Sequence, residues 1–170
     1  CPADWKQRAF NGDPALTGWS PPSTLLSPAN GDAMSYLQTI ARAFVGLAVA
    51  AGQAPRFQVG EPWWWVMPDG RICLYDAAAK AAFGGAPVEI ATVRSTTLSA
   101  EQKALLDAAG ALLAASTQAL VDAVRTDHPT CEALLLVYLP TVLDAAAPDL
   151  KRANVPTDWA SPAFDVLQLE

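Results

Sequence analysis

The chain has 170 residues, 52% of them hydrophobic and 16% charged, and a formal net charge of −6. That length supplies one hydrophobic core and is short for two domains. Its 11 Lys and Arg residues are scattered, which excludes the clustered basic surface that nucleic-acid phosphates require.

Residues 11–29 are rich in proline and glycine around Trp19 and read as a long loop. From Asn30 onward Met34, Leu37, Ile40, Phe44 and Leu47 recur at helical steps. Asn30 or Asp32 is available as the N-cap, and Gly52 closes the helix. A short strand over Arg56–Val59 then delivers Glu61 onto Pro62, which cannot donate to a sheet ladder and so ends the strand. Trp63, Trp64 and Trp65 follow directly.

Val66 to Ile72 reads as a hairpin, because Pro68-Asp69-Gly70 supplies turn chemistry between two apolar arms. The returning arm, Ile72 to Tyr75, runs into Asp76, a cap for a short alanine helix that Gly84-Gly85 end. Val88–Val93 is an extended segment. The clearest helix spans Ser99–Arg125, opened by the capping-box pair Ser99 and Gln102. Its apolar stripe runs through Leu98, Leu105, Leu112 and Leu106, Leu113, Leu120, and a break is expected near Gly110. Ala133–Leu139 is almost uniformly hydrophobic, as in a strand buried on both faces. A helical or turn region over 141–153 leads to a last apolar run, Phe164–Leu169, followed by Glu170.

Strands alternating with helices imply an α/β fold with parallel strands and right-handed crossovers. A doubly wound sheet for dinucleotides would carry a glycine fingerprint between a strand and a helix, and Gly84-Gly85 follow a helix instead. A (β/α)8 barrel suits the residues placed after the strands, but a full barrel needs about 250 residues. The expected architecture is therefore a single domain over 1–170, part of a TIM barrel truncated at both ends. No uninterrupted apolar run reaches the length of a membrane span, so none is expected.

Three cysteines (Cys1, Cys73, Cys131) and one histidine, His128, do not make a zinc set; no metal or cofactor is expected. Cys73 and Cys131 read as small buried hydrophobes. His128 faces the end of the long helix. The candidate chemistry lies with Glu61 and Glu170, each at the C-terminal end of a strand, where barrel active sites form. Two carboxyls about 5–5.5 Å apart serve a retaining glycosidase as acid/base and nucleophile, and about 6.5–9.5 Å an inverting one. Trp63, Trp64 and Trp65 offer flat faces on which sugar rings stack, with Trp63 and Trp65 on one side of an extended segment and Trp64 on the other. Tyr75, Asp76 and Tyr138 complete the candidate substrate contacts. The competing reading makes Glu61 a loop acid and the aromatic residues core.

Two resemblances bear on these residues. Glu61-Pro62 after a strand resembles the Asn-Glu-Pro acid/base signature of the large (β/α)8 glycoside-hydrolase clan, with Gly60 in place of the asparagine. That clan also separates its catalytic glutamates by two strands, where one clear strand intervenes here. The stretch Gln-Val-Gly-Glu-Pro-Trp-Trp-Trp, then Ile-Cys-Leu-Tyr-Asp-Ala-Ala-Ala-Lys, within Phe57–Ala82, resembles a TIM-barrel domain of bacteriophage tail proteins. The likeness is to the non-contractile tail sheath protein, and more loosely to tail and baseplate proteins of gene-transfer-agent type. The closing Phe-Asp-Val-Leu-Gln-Leu-Glu fits the same domain. The resemblance implies a glycosidase-like barrel serving as a structural or glycan-binding part of a virion tail. Other tail proteins and cell-surface glycans are then the partners, an oligomer the assembled form, and the bacterial cytoplasm the location before assembly. An active glycoside hydrolase is the alternative, and a solute-binding or metabolic barrel a third.

Overall fold

The computed structural model of the protein describes residues 1–60 and 65–170. Helix α1 runs over Gly31–Ala50, capped by Asn30, whose side chain accepts from the Ala33 N–H at 2.9 Å. Strand β1 covers Arg56–Val59, and the hairpin turn follows with Gly70 at φ +87°. Helix α2 (Ala77–Ala82) starts on Asp76. Helix α3 (Ala100–Asp127) carries the full capping box: Ser99 accepts from the Gln102 N–H, and the Gln102 side chain accepts from the Ser99 N–H. Strand β2 (Glu132–Val137), the short helices α4 (Pro140–Leu143) and α5 (Leu150–Asn154), and strand β3 (Val166–Leu169) complete the order.

Among the described residues the three strands form one parallel sheet in the order β1-β2-β3. Register puts Phe57 beside Ala133 and Val59 beside Leu135, which in turn lies beside Leu167; Val137 pairs with Leu169. These residues share one face, and the core lies on it: Val59, Ala133, Leu135 and Val137 pack in the same cluster as Leu106, Ala109 and Leu113 of α3. Asp165 locks the start of β3, accepting from the Ala133 N–H at 2.8 Å and from Arg125 at 2.7 Å. The result is a mixed α/β chain of helices over parallel strands, the class that the alternation implied.

Several expectations change. The uniform hydrophobicity of 133–139 predicted burial on both faces, yet β2 alternates between buried and half-buried positions. Pro140 at the start of α4 turns the chain out two residues early. Among the described residues Val88–Val93 pairs with no strand and instead clamps the hairpin tip, with the Val93 N–H donating to the Gly70 carbonyl at 2.9 Å.

In α1 the buried face is Ala33, Met34, Ala41 and Val45, while Phe44 and Leu47 of the predicted stripe are exposed. Small residues let α1 approach α3 closely around Val124 and Cys131. The bidentate Arg42–Asp127 ion pair fixes the same contact.

Helix α3 is unbroken over 28 residues. Gly110 is there for proximity: a Cβ at this position would meet the Arg152 carbonyl of α5. Asp107 and Asp149 hold Arg152 in place. By length and composition α1 and α3 could each cross a membrane, with windows of mean hydropathy 1.3 and 1.5. The absence of a long uninterrupted apolar run did not anticipate that. The α3 window is 56% buried inside this protein, as expected of a core helix.

Candidate functional site

The C-terminal ends of the parallel strands bring Tyr138 and Glu170 side by side. Tyr138 is the first residue after β2 and Glu170 the first after β3. The Glu170 N–H donates to the Val137 carbonyl at 3.0 Å and the Leu139 N–H to the Glu170 carbonyl at 2.8 Å. Glu170 is exposed. Glu61, Trp63 and Trp64 lie outside the described residues. Gly60, which precedes them, has open space where a Cβ would stand and no positive φ, so packing does not require glycine there.

Trp65, Tyr75 and Asp76, expected to line a cleft, are in the core. Trp65 is 0% exposed; its indole N–H donates to the Ala109 carbonyl at 3.2 Å, and its ring meets Phe83 edge to face. The whole returning arm Ile72–Tyr75 is buried, so Tyr75 cannot reach a surface. Its hydroxyl donates to the Val88 carbonyl at 3.0 Å and accepts from the Ile90 N–H at 2.7 Å. Burial pushes this phenol up to about 12. Asp76 is a helix cap: Oδ1 accepts from the N–H groups of Ala78 and Ala79. Burial raises its pKa, partly offset by the Ala79 N–H. Each of the three polar side chains satisfies backbone groups that would otherwise be stranded in the core.

Cys73 and Cys131 are buried, and burial drives the Cys73 thiol up to about 12, far from a reactive thiolate. Among the described residues no group of three or more His, Cys, Asp and Glu is placed to hold a metal ion.

Next to Tyr138 opens a cavity of about 430 Å³ that sequence reasoning did not find. The N-terminal loop contributes Thr17 and Trp19, the hairpin contributes Val66, Met67 and Pro68, and the clamp segment contributes Val93 and Arg94. Pro140 and Thr141 of α4 and Asp144 at its C-terminal end, with Leu150 of α5, close the far side. Trp19 is 62% exposed and Tyr138 38% exposed at its rim. The one signal in the sequence was a tryptophan inside a proline- and glycine-rich loop, where no amphipathic pattern provides a core for it. What joins the wall is long-range: Arg94 donates to the Pro68 carbonyl at 2.8 Å across 26 residues of chain.

Over residues 1–170 the chain matches the family described as the non-contractile tail sheath protein TIM barrel. No curated protein and no solved structure matches it.

Proposed function

The chain belongs to the TIM-barrel domain family of the non-contractile tail sheath protein, and we propose that it acts there as a run of consecutive barrel units with an architectural role. A domain of this family is a virion tail component that assembles with other tail proteins. The observation that carries the structural reading is the family match along the whole chain. The fold supports it in two ways. Sequential parallel strands in the order β1-β2-β3 are what a stretch of barrel wall has. Leu167 and Leu169 lie on the helix-covered face of the sheet, in register with the buried Leu135 and Val137, yet are 61% and 60% exposed. A right-handed crossover after β3 would lay the next helix over them, as α3, which follows β1, packs on β1. On this reading the 170 residues are part of a larger barrel.

Immunogold labelling of purified tails tests the reading. Label distributed along the tail is the expected result, and tails that lack the protein would refute it.

A second reading, glycan recognition or hydrolysis at the strand ends, draws on Glu170 standing beside Tyr138. Glu61 would act as acid/base, Glu170 as partner carboxylate, and Trp63 and Trp64 as stacking surfaces. Incubating the protein with bacterial surface polysaccharides and aryl glycosides separates the two. Reducing-end release that both Glu61→Gln and Glu170→Gln abolish, with folding intact, would make it a glycosidase. No release leaves the architectural role standing alone.

A further inference from the structure

We propose that the two open flanks of the sheet are the halves of one interface between copies of this chain. In it β3 of one copy pairs in parallel with β1 of the next, whose α1 then covers Leu167 and Leu169. The inference rests on reading the sheet as a stretch of barrel wall and names the partner that extends it.

The first flank is on α1. Ala41 and Val45 turn to α3, where they pack with Val124. A second apolar stripe runs from Tyr36 through Ile40, Phe44 and Leu47 at steps of four, four and three residues. It lies roughly a third of a turn round the helix from the buried face. Tyr36 meets the ring of Trp5, while Phe44 and Leu47 are each 68% exposed. Asp32 and Arg42 are the charged residues of this helix, and Arg42 is engaged by Asp127. The stripe itself carries no charge, so what covers it without a desolvation penalty is apolar.

The second flank is on β3. Among the described residues β1 and β3 are the two edge strands, and each is four residues long. Alternate residues of each edge turn their N–H and C=O groups away from β2, ready to pair with another parallel strand. Val166–Leu169 is uncharged, and its Leu167 and Leu169 stand bare on the face that α3 covers elsewhere.

Handedness joins the flanks. A right-handed crossover helix lies over both the strand it leaves and the strand it enters. Helix α3 obeys this, sharing a core with Val59 of β1 and with Ala133 and Leu135 of β2. Helix α1 enters β1 and packs on it. By the same rule α1 reaches past the free edge of β1, over the place of a further parallel strand with apolar residues toward the helix. Strand β3 of a second copy is such a strand: its length matches, it is uncharged, and its helix-side leucines lack a cover. Seated there, it sets Leu167 and Leu169 against the stripe that holds Phe44 and Leu47, and joins its open backbone edge to that of β1. The two surfaces differ, so the contact is heterologous and repeats from copy to copy. A single contact of this size is weak, and repetition along an assembly strengthens it.

Sedimentation equilibrium of the 170-residue protein between about 10 μM and about 1 mM tests the interface. The expected result is a mass that rises with concentration, with Leu167→Asp and Phe44→Asp each weakening association by about tenfold or more. Both positions are exposed, and far-UV circular dichroism checks that the variants fold. A second measurement fixes which surfaces meet. In a Cys1→Ser background, where Cys73 and Cys131 are buried, Leu47→Cys and Leu169→Cys proteins are treated with a short bis-maleimide, singly and mixed. Cross-linking is expected in the mixture well above either protein alone. A monomer at every concentration, or association indifferent to both aspartates, would overturn the proposal. Equal cross-linking of the Leu47→Cys protein with itself would overturn it in favour of α1 packing on α1. Flotation with phosphatidylcholine vesicles that Phe44→Asp abolishes, in place of self-association, would overturn it in favour of a lipid surface. A protein that labels tails yet stays monomeric would refute this interface alone, and one that self-associates but is missing from tails would refute only the architectural reading.

Discussion

Replacing Gly110 with alanine pits two effects of opposite sign against each other. In an exposed helix interior the change stabilises by about 1 kcal/mol, because alanine loses less backbone entropy. Here the new methyl would sit on the Arg152 carbonyl, 3.2 Å from its carbon and 3.4 Å from the Pro156 Cβ. Both of the Arg152 atoms are backbone and cannot rotate away. To reach ordinary contact distance α5 must retreat by roughly 1.5 Å. That movement stretches the Arg152–Asp107 and Lys103–Asp149 ion pairs and opens the packing around Leu150 and Ala153. Overpacking of a rigid contact costs about 3 kcal/mol, so the net expectation is a loss of about 2 kcal/mol. For a chain of this size that lowers Tm by roughly 4–8 °C. Urea unfolding followed by circular dichroism measures it, with an unchanged m-value showing that cooperativity is kept. An alanine variant equal to or more stable than the native protein would refute the close-packing role assigned to Gly110.

Three further outcomes follow from buried groups. Burial raises the Asp76 pKa above its ordinary value, so between the two values the native state holds a proton that the unfolded chain has released. Its contribution to stability is present in full below the ordinary carboxylate pKa and lost as pH rises through the raised one. Asp76→Asn keeps the cap acceptor and should flatten that part of the stability–pH profile; Asp76→Ala should flatten it too and lie about 1 kcal/mol below Asp76→Asn at every pH, for the lost cap. An unaltered profile in Asp76→Asn would contradict the assignment. Thr117→Val strands the buried Trp159 indole N–H, which now donates to Thr117 Oγ1 at 2.8 Å, and should cost about 1–3 kcal/mol in denaturant unfolding. Thiol labelling with a colorimetric disulfide reagent near neutral pH should modify Cys1 rapidly, and Cys73 and Cys131 only when denaturant is added. Fast native-state reaction of Cys73 would mean that its shielding is overstated.

Sequence alone determined the features that reach only a few residues along the chain. Asn30, Asp76 and the Ser99–Gln102 pair are caps because each side chain needs to find only an N–H two or three positions ahead. Pro68-Asp69-Gly70 turns because its own φ preferences require it, and the strand at 56–59 and the apolar runs 133–139 and 164–169, which hold the strands 132–137 and 166–169, follow from composition and spacing. That Tyr138 and Glu170 share one end of the sheet was likewise legible, since parallel strands carry their C-termini to the same side. Tertiary structure decided everything that depends on what lies opposite. Gly110 looks like a helix breaker until the Arg152 carbonyl is placed against it, and Tyr75 looks like a strand-end aromatic until Val88 and Ile90 close over its hydroxyl. The α1 periodicity fits two neighbouring faces, and only the close approach of α3 selects Ala41 and Val45 over Phe44 and Leu47. The cavity belongs wholly to this second class. Thr17, Val66, Arg94 and Leu150 are far apart along the chain, and no local preference of any one of them encodes the other three.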